Sequence, residues 1–492
     1  MSIENHQLSV TEKVGYALGD LAANLIFQTL VTFIAFFYTD VYGIPAGWAA
    51  FIIFWAGILG GAVFTPVMGA IADRTRTRWG KFRPWILWTA VPFGVIVMLT
   101  FATPDFAPTG KLIYAGVTYL LLVMIYSANN LPYSALSGVL TGSMSERNSL
   151  SSYRFVAVMV AQFIIQVLVL PIVLILGDGD KAIGFERTMT ILACAGVVML
   201  IITFLTTKER VVPRPEQESS VKDDLRDLVQ NRPWVIMLVL TTLVFVALAL
   251  KGGSYVYYFS EYMNEPALVA FLENIGFNRF INGLNSTLTG IGLTEFRWPE
   301  DPATSAFSLY NATSIICQII GIFFSKALAD RFGKRNVFGI FLFISTLFLL
   351  VYLFFPPDAV ELVFLSQVGH GLAYGVTVPL LWAMIADVAD YSEWKNNRRA
   401  TGIIFSAMIF GLKVGLAIGG ALVAMLLSFY GYEAGAAEQT QDTVYGIRLL
   451  VSLYASLPFL IGCGLLFWYE IDKGMENRIE RDLLVSRAKN VS

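Results

Sequence analysis

Asp20, Asn24 and Gln28 recur at four-residue steps inside an otherwise apolar stretch. On a helix that spacing puts them in one stripe on one face. Tyr126, Asn130 and Ser134 repeat the pattern with Asn129 beside them, and Arg154 precedes Gln162 and Gln166 on roughly one face. Further on come Lys251 and Tyr255, then Gln367, His370, Tyr374 and Thr377, then Lys413 deep in IIFSAMIFGLKVGLAIGGAL. Amides, rings and single charges of this kind are costly among apolar residues unless they face one another or water, and the titratable ones can carry protons. They do not make a catalytic set: His370 is the one histidine in an apolar run, and neither H-E-x-x-H nor G-x-S-x-G occurs. No enzyme, metal or cofactor is expected. Singly, Gln28, Gln162, Gln166 and His370 also read as interhelical hydrogen-bonding residues, and Arg154 as a cation reaching to the surface near a helix start.

The elements that carry these residues are set by composition. Of 492 residues 56% are hydrophobic and 14% charged, and the mean hydropathy is +0.65, so a soluble globule is excluded. Requiring about 20 apolar residues per span gives twelve segments, near 14–38, 46–72, 84–103, 112–140, 155–176, 188–206, 234–260, 307–329, 338–355, 360–386, 402–430 and 447–469. The fold class is an all-α integral membrane protein. Stripes from several spans then face one another or water, which predicts a central polar cavity. The net charge of -2 says nothing about partners because the charges are segregated, and nothing basic enough for nucleic acid appears. Cys194, Cys317 and Cys463 lie in apolar runs and read as packing residues, and the polar start MSIENHQLSVTEKVGY is not a signal peptide.

Basic residues give the orientation. They follow span 2 (Arg74, Arg76, Arg78, Lys81, Arg83), span 8 (Arg331, Lys334, Arg335) and span 10 (Lys395, Arg398, Arg399), so both termini are expected in the cytoplasm. ADRTRTRWGKFR after span 2 is echoed by ADRFGKR six spans later. This predicts two six-helix bundles, 1–206 and 234–492, joined by a cytoplasmic linker at 207–233, with an external insertion at 262–306 and a cytoplasmic tail. Asp73, Arg74, Arg78, Asp330, Arg331, Asp387 and Asp390 are the candidate gating residues at the cytoplasmic ends, where topology alone also explains the arginines.

KVGYALGDLAANLIFQ, FFYTDVYG, TPVMGAIADRTRTRWGKFRPWIL, NNLPYSAL, SSYRF and IADVADYSEWKNNRRATG together resemble the glycoside-pentoside-hexuronide:cation symporters, the melibiose permease relatives of the major facilitator superfamily. The likeness covers essentially the whole chain. It implies the major facilitator fold and sugar transport by alternating access, often with sodium or proton. In melibiose permeases the sugar is held by Asp residues of helices 1 and 4, a helix 4 Trp and a helix 5 Arg, with a helix 11 Lys nearby. Matching flanks put the Arg on Arg154 and the Lys on Lys413, the two Asp positions on Asn24 and Asn130, and the Trp on Ser134. The resemblance thus implies a substrate site that includes Asn24, Asn130, Arg154 and Lys413, with an altered specificity; Asp20 joins them from the stripe of span 1, and Tyr126, Tyr133, Tyr255 and Tyr374 are the alternative candidates for the missing ring. The two helix 2 carboxylates of the family's cation site fall on Gly61 and Thr65, a degenerate site.

The expectation is therefore a monomeric sugar or glycoside transporter of the bacterial inner membrane, in contact with lipid and coupled to H+ through Asp20 and Lys413, with Asp20 also a candidate partner for the Lys413 charge. Uniport and Na+ symport are the alternatives within that reading. A lysolipid carrier of the same superfamily and a membrane receptor stand outside it. Within the insertion, Ala267–Phe280 is predicted as one amphipathic helix at the interface, lidding the outward entrance and favouring longer glycosides.

Overall fold

The first long helix starts at Ser9 with a reciprocal cap: the Glu12 N–H donates to Ser9 Oγ at 3.2 Å, and the Ser9 N–H donates to the Glu12 carboxylate at 3.3 Å. The structure is a computed structural model and describes residues 8–141, 144–210, 230–290, 301–396, 401–436 and 438–489, with a few side chains within them, Asp73 among them, left undescribed. Most of the expected linker, part of the insertion and the Asp73 side chain therefore lie outside the described residues.

Twelve helices among the described residues are long and apolar enough to cross a membrane. They are Val10–Val41, Ala46–Gly69, Arg83–Phe101, Pro108–Ser137, Ser149–Leu176, Lys181–Thr206, Arg232–Tyr262, Pro302–Phe332, Lys334–Phe354, Val360–Lys395, Ile404–Phe429 and Gln441–Trp468, spans 1 to 12. The fifth differs from expectation. Its helix begins at Met144, so Arg154 lies well inside it and not near its start. Spans 1, 2, 5, 7 and 12 each contain a wide π-type turn, at Phe37–Val41, Gly57–Val63, Ile164–Leu168, Tyr258–Tyr262 and Leu450–Tyr454. Hydrophobic periodicity does not reveal such turns.

The chain packs as two compact units. The first is Met1–Arg214, Gly252–Ala312 and Gly420–Val444; the second is Pro215–Lys251, Thr313–Gly419 and Tyr445–Ser492. The division cuts across the expected halves, because the ends of spans 7, 8 and 11 opposite the basic loops belong with the first half. In the first unit Asn311 Nδ2 donates to the Gln166 carbonyl at 3.2 Å, and the rings of Phe33 and Phe307 meet edge-on at 6.0 Å. In the second unit span 11 lies directly on span 7: a Cβ on Gly415 would collide with the Thr242 carbonyl oxygen, and one on Gly419 would stand 2.5 Å from that of Val246. Glycine is needed there because backbone meets backbone.

The basic loop after span 2 is tied down by an acid from the start of the linker. Glu209 accepts the N–H groups of Lys81, Phe82 and Arg83 at 2.8, 2.7 and 2.9 Å, closing the orphan donors where span 3 begins. Gly80, at φ 112°, leaves the room that this carboxylate fills. Glu209→Ala is expected to destabilise the protein by roughly 1–3 kcal/mol, the cost of stranding part-buried donors. A thermal-melting curve in detergent that matches the wild type would refute this assignment.

The insertion forms two helices, Glu265–Asn274 and Phe277–Gly290, where one was expected. The break is at Gly276, whose φ of 74° ends the first helix while its carbonyl accepts the Phe280 N–H to begin the second.

In the second unit the tail helix Lys473–Lys489 docks under spans 8 to 10. Lys334 Nζ lies 2.5 Å from Asp387 and 3.7 Å from Glu476, and Lys473 Nζ donates to the carbonyls of Asp330 and Arg331. Two carboxylates share one ammonium, and burial together with the neighbouring Asp387 charge pushes the Glu476 carboxyl up to about 7. A raised folded value means that the docked tail holds a proton which the detached tail has lost above its ordinary value of 4.5. Docking is therefore tightest below that value and weakens as pH rises through 7. Amide exchange across 473–489 should quicken relative to the rest of the protein between pH 5 and pH 8, after correction for intrinsic rates; a flat ratio would contradict the shared-ammonium account.

Candidate functional site

Span 1 brings Asp20 to the interior of the first unit, 4% exposed, and span 5 brings Arg154 to it: Nε donates to Asp20 Oδ2 at 2.8 Å. Asn24 Nδ2, one helical turn on, donates to Asp20 Oδ1 at 3.2 Å. The guanidinium lies over two rings, 5.5 Å from the centroid of Tyr133 and 5.8 Å from that of Tyr16. Those rings stack at 4.6 Å and lock spans 1 and 4 together, Tyr16 Oη donating to the Tyr133 carbonyl at 3.1 Å and Tyr133 Oη to the Tyr16 carbonyl at 2.7 Å. The pair is thus mounted on a rigid aromatic bracket. Arg154 remains 31% exposed, so its outer N–H groups are open to a solute, and the buried acid holds it in place.

Around this pair Tyr126 stacks on Phe27 at 6.1 Å and sits near Phe93, while Asn130 is half-buried on the same span. Asn129, its neighbour, faces away and donates to Thr89 Oγ1 at 2.7 Å, bonding span 4 to span 3. Gln162, Gln166 and Gln28 form a weak amide chain, 3.4 Å at each step. Tyr255 is buried in the same unit with its ring edge-on to Tyr310 at 4.8 Å. In span 2 the Thr65 hydroxyl donates to the Gly61 carbonyl inside the π-type turn, and no carboxylate lies in Ala46–Gly69. That geometry does not supply the anionic oxygen ligands a hard monovalent cation prefers.

The second unit holds the remaining candidates. His370 is fully buried, with Nδ1 3.0 Å from the Ser345 carbonyl and Nε2 2.7 Å from Lys251 Nζ. Nδ1 also lies 2.9 Å from the Ser345 hydroxyl, so both ring nitrogens are engaged. Lys251 also lies 5.5 Å from the Tyr374 centroid, and that ring stacks on His370 at 5.8 Å. Lys413 is half-buried in span 11. At the basic end Asp387 is held by Lys334, Asp390 and the exposed Asp330 line a cleft beside the tail helix, and Arg331 is exposed over the Phe332 ring. Arg74 is exposed, and Arg78 lies 4.8 Å from the Trp79 centroid.

Sequence reasoning missed the network at the opposite end of the first unit. Tyr432 donates to Asp40, Thr39 Oγ1 lies 2.5 Å from Asp40 and 2.8 Å from Tyr257 Oη, and Tyr257 meets Tyr432 edge-on at 5.3 Å. The acid in FFYTDVYG was its one visible signal. Tyr16 was missed as well, since a tyrosine near a helix start carries no mark of the ring it will stack on.

An ion pair and amides carried inside a bundle of apolar spans is the arrangement of a membrane transport protein. The chain matches the MFS/sugar transport protein family over residues 15–284 and 301–473. It is 36% identical to the inner membrane symporter YicJ of Escherichia coli, over 93% of this chain and 90% of that one. It is 34% identical to the putative glycoside/cation symporter YagG of the same species, over 98% and 96%, and 30% identical to the isoprimeverose transporter of Lactiplantibacillus pentosus, over 98% and 92%. Among solved structures the inward-open xylose transporter XylE of E. coli aligns with a TM-score of 0.57 at 10% identity, covering 96% of this chain and 98% of that one. A bacterial homologue of the lysosomal transporter Spinster aligns at 0.61 and 13%, covering 94% and 97%. These two show the fold alone. The chain belongs to the MFS/sugar transport family, among the glycoside-pentoside-hexuronide:cation symporters, and it is an integral membrane transporter and not an enzyme.

Proposed function

We propose that the protein is a monomeric secondary transporter that carries a neutral sugar or glycoside across the bacterial inner membrane by alternating access, with both termini in the cytoplasm. The Asp20–Arg154 pair carries this reading: an arginine held by a buried acid through Nε, its two terminal nitrogens making no hydrogen bond among the described residues, is a preorganised donor for sugar hydroxyls. Asn24 and Asn130 add uncharged amides, and Tyr126 a ring on which a pyranose can lie. Tyr255 is a further proposed ring of the first unit, and Tyr374 and Lys413 are the proposed substrate residues of the second. The names of the similar symporters support a glycoside as cargo. The excess of arginine and lysine after spans 2 and 8 supports the orientation.

The coupling ion in this reading is H+. Sugar hydroxyls compete for Arg154, the ion pair loosens, and the Asp20 carboxylate takes a proton from the side then open. When the sugar leaves on the other side, Arg154 returns to Asp20 and the proton is released there. Lys413 is the second proposed coupling residue. Uniport is the second reading, favoured by the fact that Asp20 is already neutralised by Arg154. Gly61 and Thr65 do not support sodium coupling.

Uptake of labelled mono- and disaccharides into proteoliposomes, with a proton gradient, a sodium gradient or neither, tests this. Accumulation is expected only with the proton gradient. In Asp20→Asn accumulation should be lost while exchange across the membrane persists. Equilibration alone in the wild type means a uniporter. If no sugar moves, competition by lysolipids identifies an amphiphile carrier, and binding without movement a receptor.

A further inference from the structure

A groove of about 840 Å³ lies in the first unit where the insertion meets the end of span 5 and the start of span 8, on the face opposite the basic loops. This falls within the roughly 300–1,000 Å³ of small-molecule sites. One wall is the helix Phe277–Gly290, from which Asn278, Asn282 and Asn285 enter the lining at four- and three-residue steps, a row of carboxamides on one helical face. Asp178 joins the lining from just beyond span 5, the one non-glycine residue with a left-handed backbone among the described residues, at φ 49° between Gly177 and Gly179. Glu273 and the Phe277 ring belong to the same lining, and Leu174, Ile175, Leu272 and Ile281 give it an apolar floor.

We propose that this groove is an external binding site for a neutral saccharide, a capture site separate from Asp20 and Arg154. The inference rests on the sugar-transport reading. Carboxamides and carboxylates supply donors and acceptors for hydroxyl groups, and an adjacent ring and aliphatic floor cover the apolar face of a pyranose. Among the described residues no lysine or arginine is in the lining, so a uronate or a phosphorylated sugar meets two carboxylates and is repelled. A metal ion fits less well, since no group of three His, Cys, Asp or Glu side chains suited to one occurs among the described residues. The insertion thus does more than cover the surface: it supplies the amide row. A site on this face raises the local concentration of a dilute solute, and a volume of about 840 Å³ has room for a disaccharide.

The test is equilibrium binding of radiolabelled cellobiose and xylobiose to the full-length protein in nanodiscs. Asp20→Asn/Arg154→Gln weakens the central site without leaving a lone buried charge, and the saccharide that still binds should occupy the groove. Adding Asn278→Ala and Asn282→Ala, both exposed positions, should then weaken that residual binding at least fivefold, and Asp178→Asn at least threefold. In the otherwise wild-type protein the two alanines should raise the KM for disaccharide uptake and leave the maximal rate unchanged. Residual binding that is absent, or that ignores the alanines, overturns the groove and leaves the transport reading intact. Binding of Ca²⁺ alone assigns it to a cation and overturns it equally. A wild-type protein that binds no saccharide overturns the groove together with the sugar reading.

Discussion

Arg154→Ala is expected to lower sugar uptake by on the order of a hundredfold or more, since two hydrogen bonds from a cation contribute roughly 1.5–3 kcal/mol each. It should also destabilise the fold, because the Asp20 side chain is 5% exposed and loses the cation that makes its burial tolerable. Removing one partner of a buried pair costs roughly 3–5 kcal/mol. The two effects must be separated, and the double variant Asp20→Asn/Arg154→Gln does so. An amide pair keeps a hydrogen bond between spans 1 and 5 without charge, so melting should return toward the wild type. Uptake should not return, because the cationic donor is gone. Tyr16 and Tyr133 remain stacked in both variants and hold spans 1 and 4 in register. Uptake within threefold of the wild type in the double variant would remove Arg154 from the sugar site, whatever the single variant does.

How much of this was legible beforehand differs between levels. Twelve apolar runs and their basic punctuation are one-dimensional signals, so the number of spans was readable and their limits nearly so. Asp20 was visible as an acid in the wrong solvent and Arg154 as a cation at the edge of an apolar run, yet the sequence offered Lys413 as the partner of Asp20. Only a helix that starts at Met144 brings span 5 alongside span 1 with Arg154 facing inward. The π-type turns were hidden because one extra residue in a turn shifts a helical face without changing composition. Gly276 shows the same limit: apolar spacing runs through it, while its backbone angle splits one expected helix into two. Glu209, Asp40 and Tyr432 act across long separations in the chain, and a single sequence has no term for such a contact.

The last of these contacts leads to the second large effect, arrest of transport by a cross-link. Gly47 at the start of span 2 and Ser428 near the end of span 11 are both exposed, and a Cβ built on Gly47 stands 3.5 Å from Ser428 Oγ. A cysteine sulfur in place of that Oγ lies close to the Gly47 Cβ, within reach of a second sulfur carried there, so the pair suits a disulfide. With Cys194, Cys317 and Cys463 replaced by alanine, Gly47→Cys/Ser428→Cys should cross-link under mild oxidation and lose nearly all uptake, and a reductant should restore it. The reason lies in what must part for a solute to pass this face. Asp40 with Tyr432, Thr39 with Tyr257 at 2.8 Å, and Phe36 with Tyr257 at 5.8 Å tie span 1 to span 7 and to the turn after span 11. In the proposed alternating-access cycle that whole set opens once per turn, and a covalent bond beside it forbids the opening. Tyr432→Phe acts in the other direction: loss of one hydrogen bond to a carboxylate, roughly 1.5–3 kcal/mol, depopulates the closed state by about 10- to 150-fold. Cross-linking of the cysteine pair should then slow, since the two sulfurs meet only in the closed state. Equal uptake by the cross-linked and reduced proteins would mean that this face does not open during transport, and the solute would need a path that leaves Asp40 and Tyr432 joined.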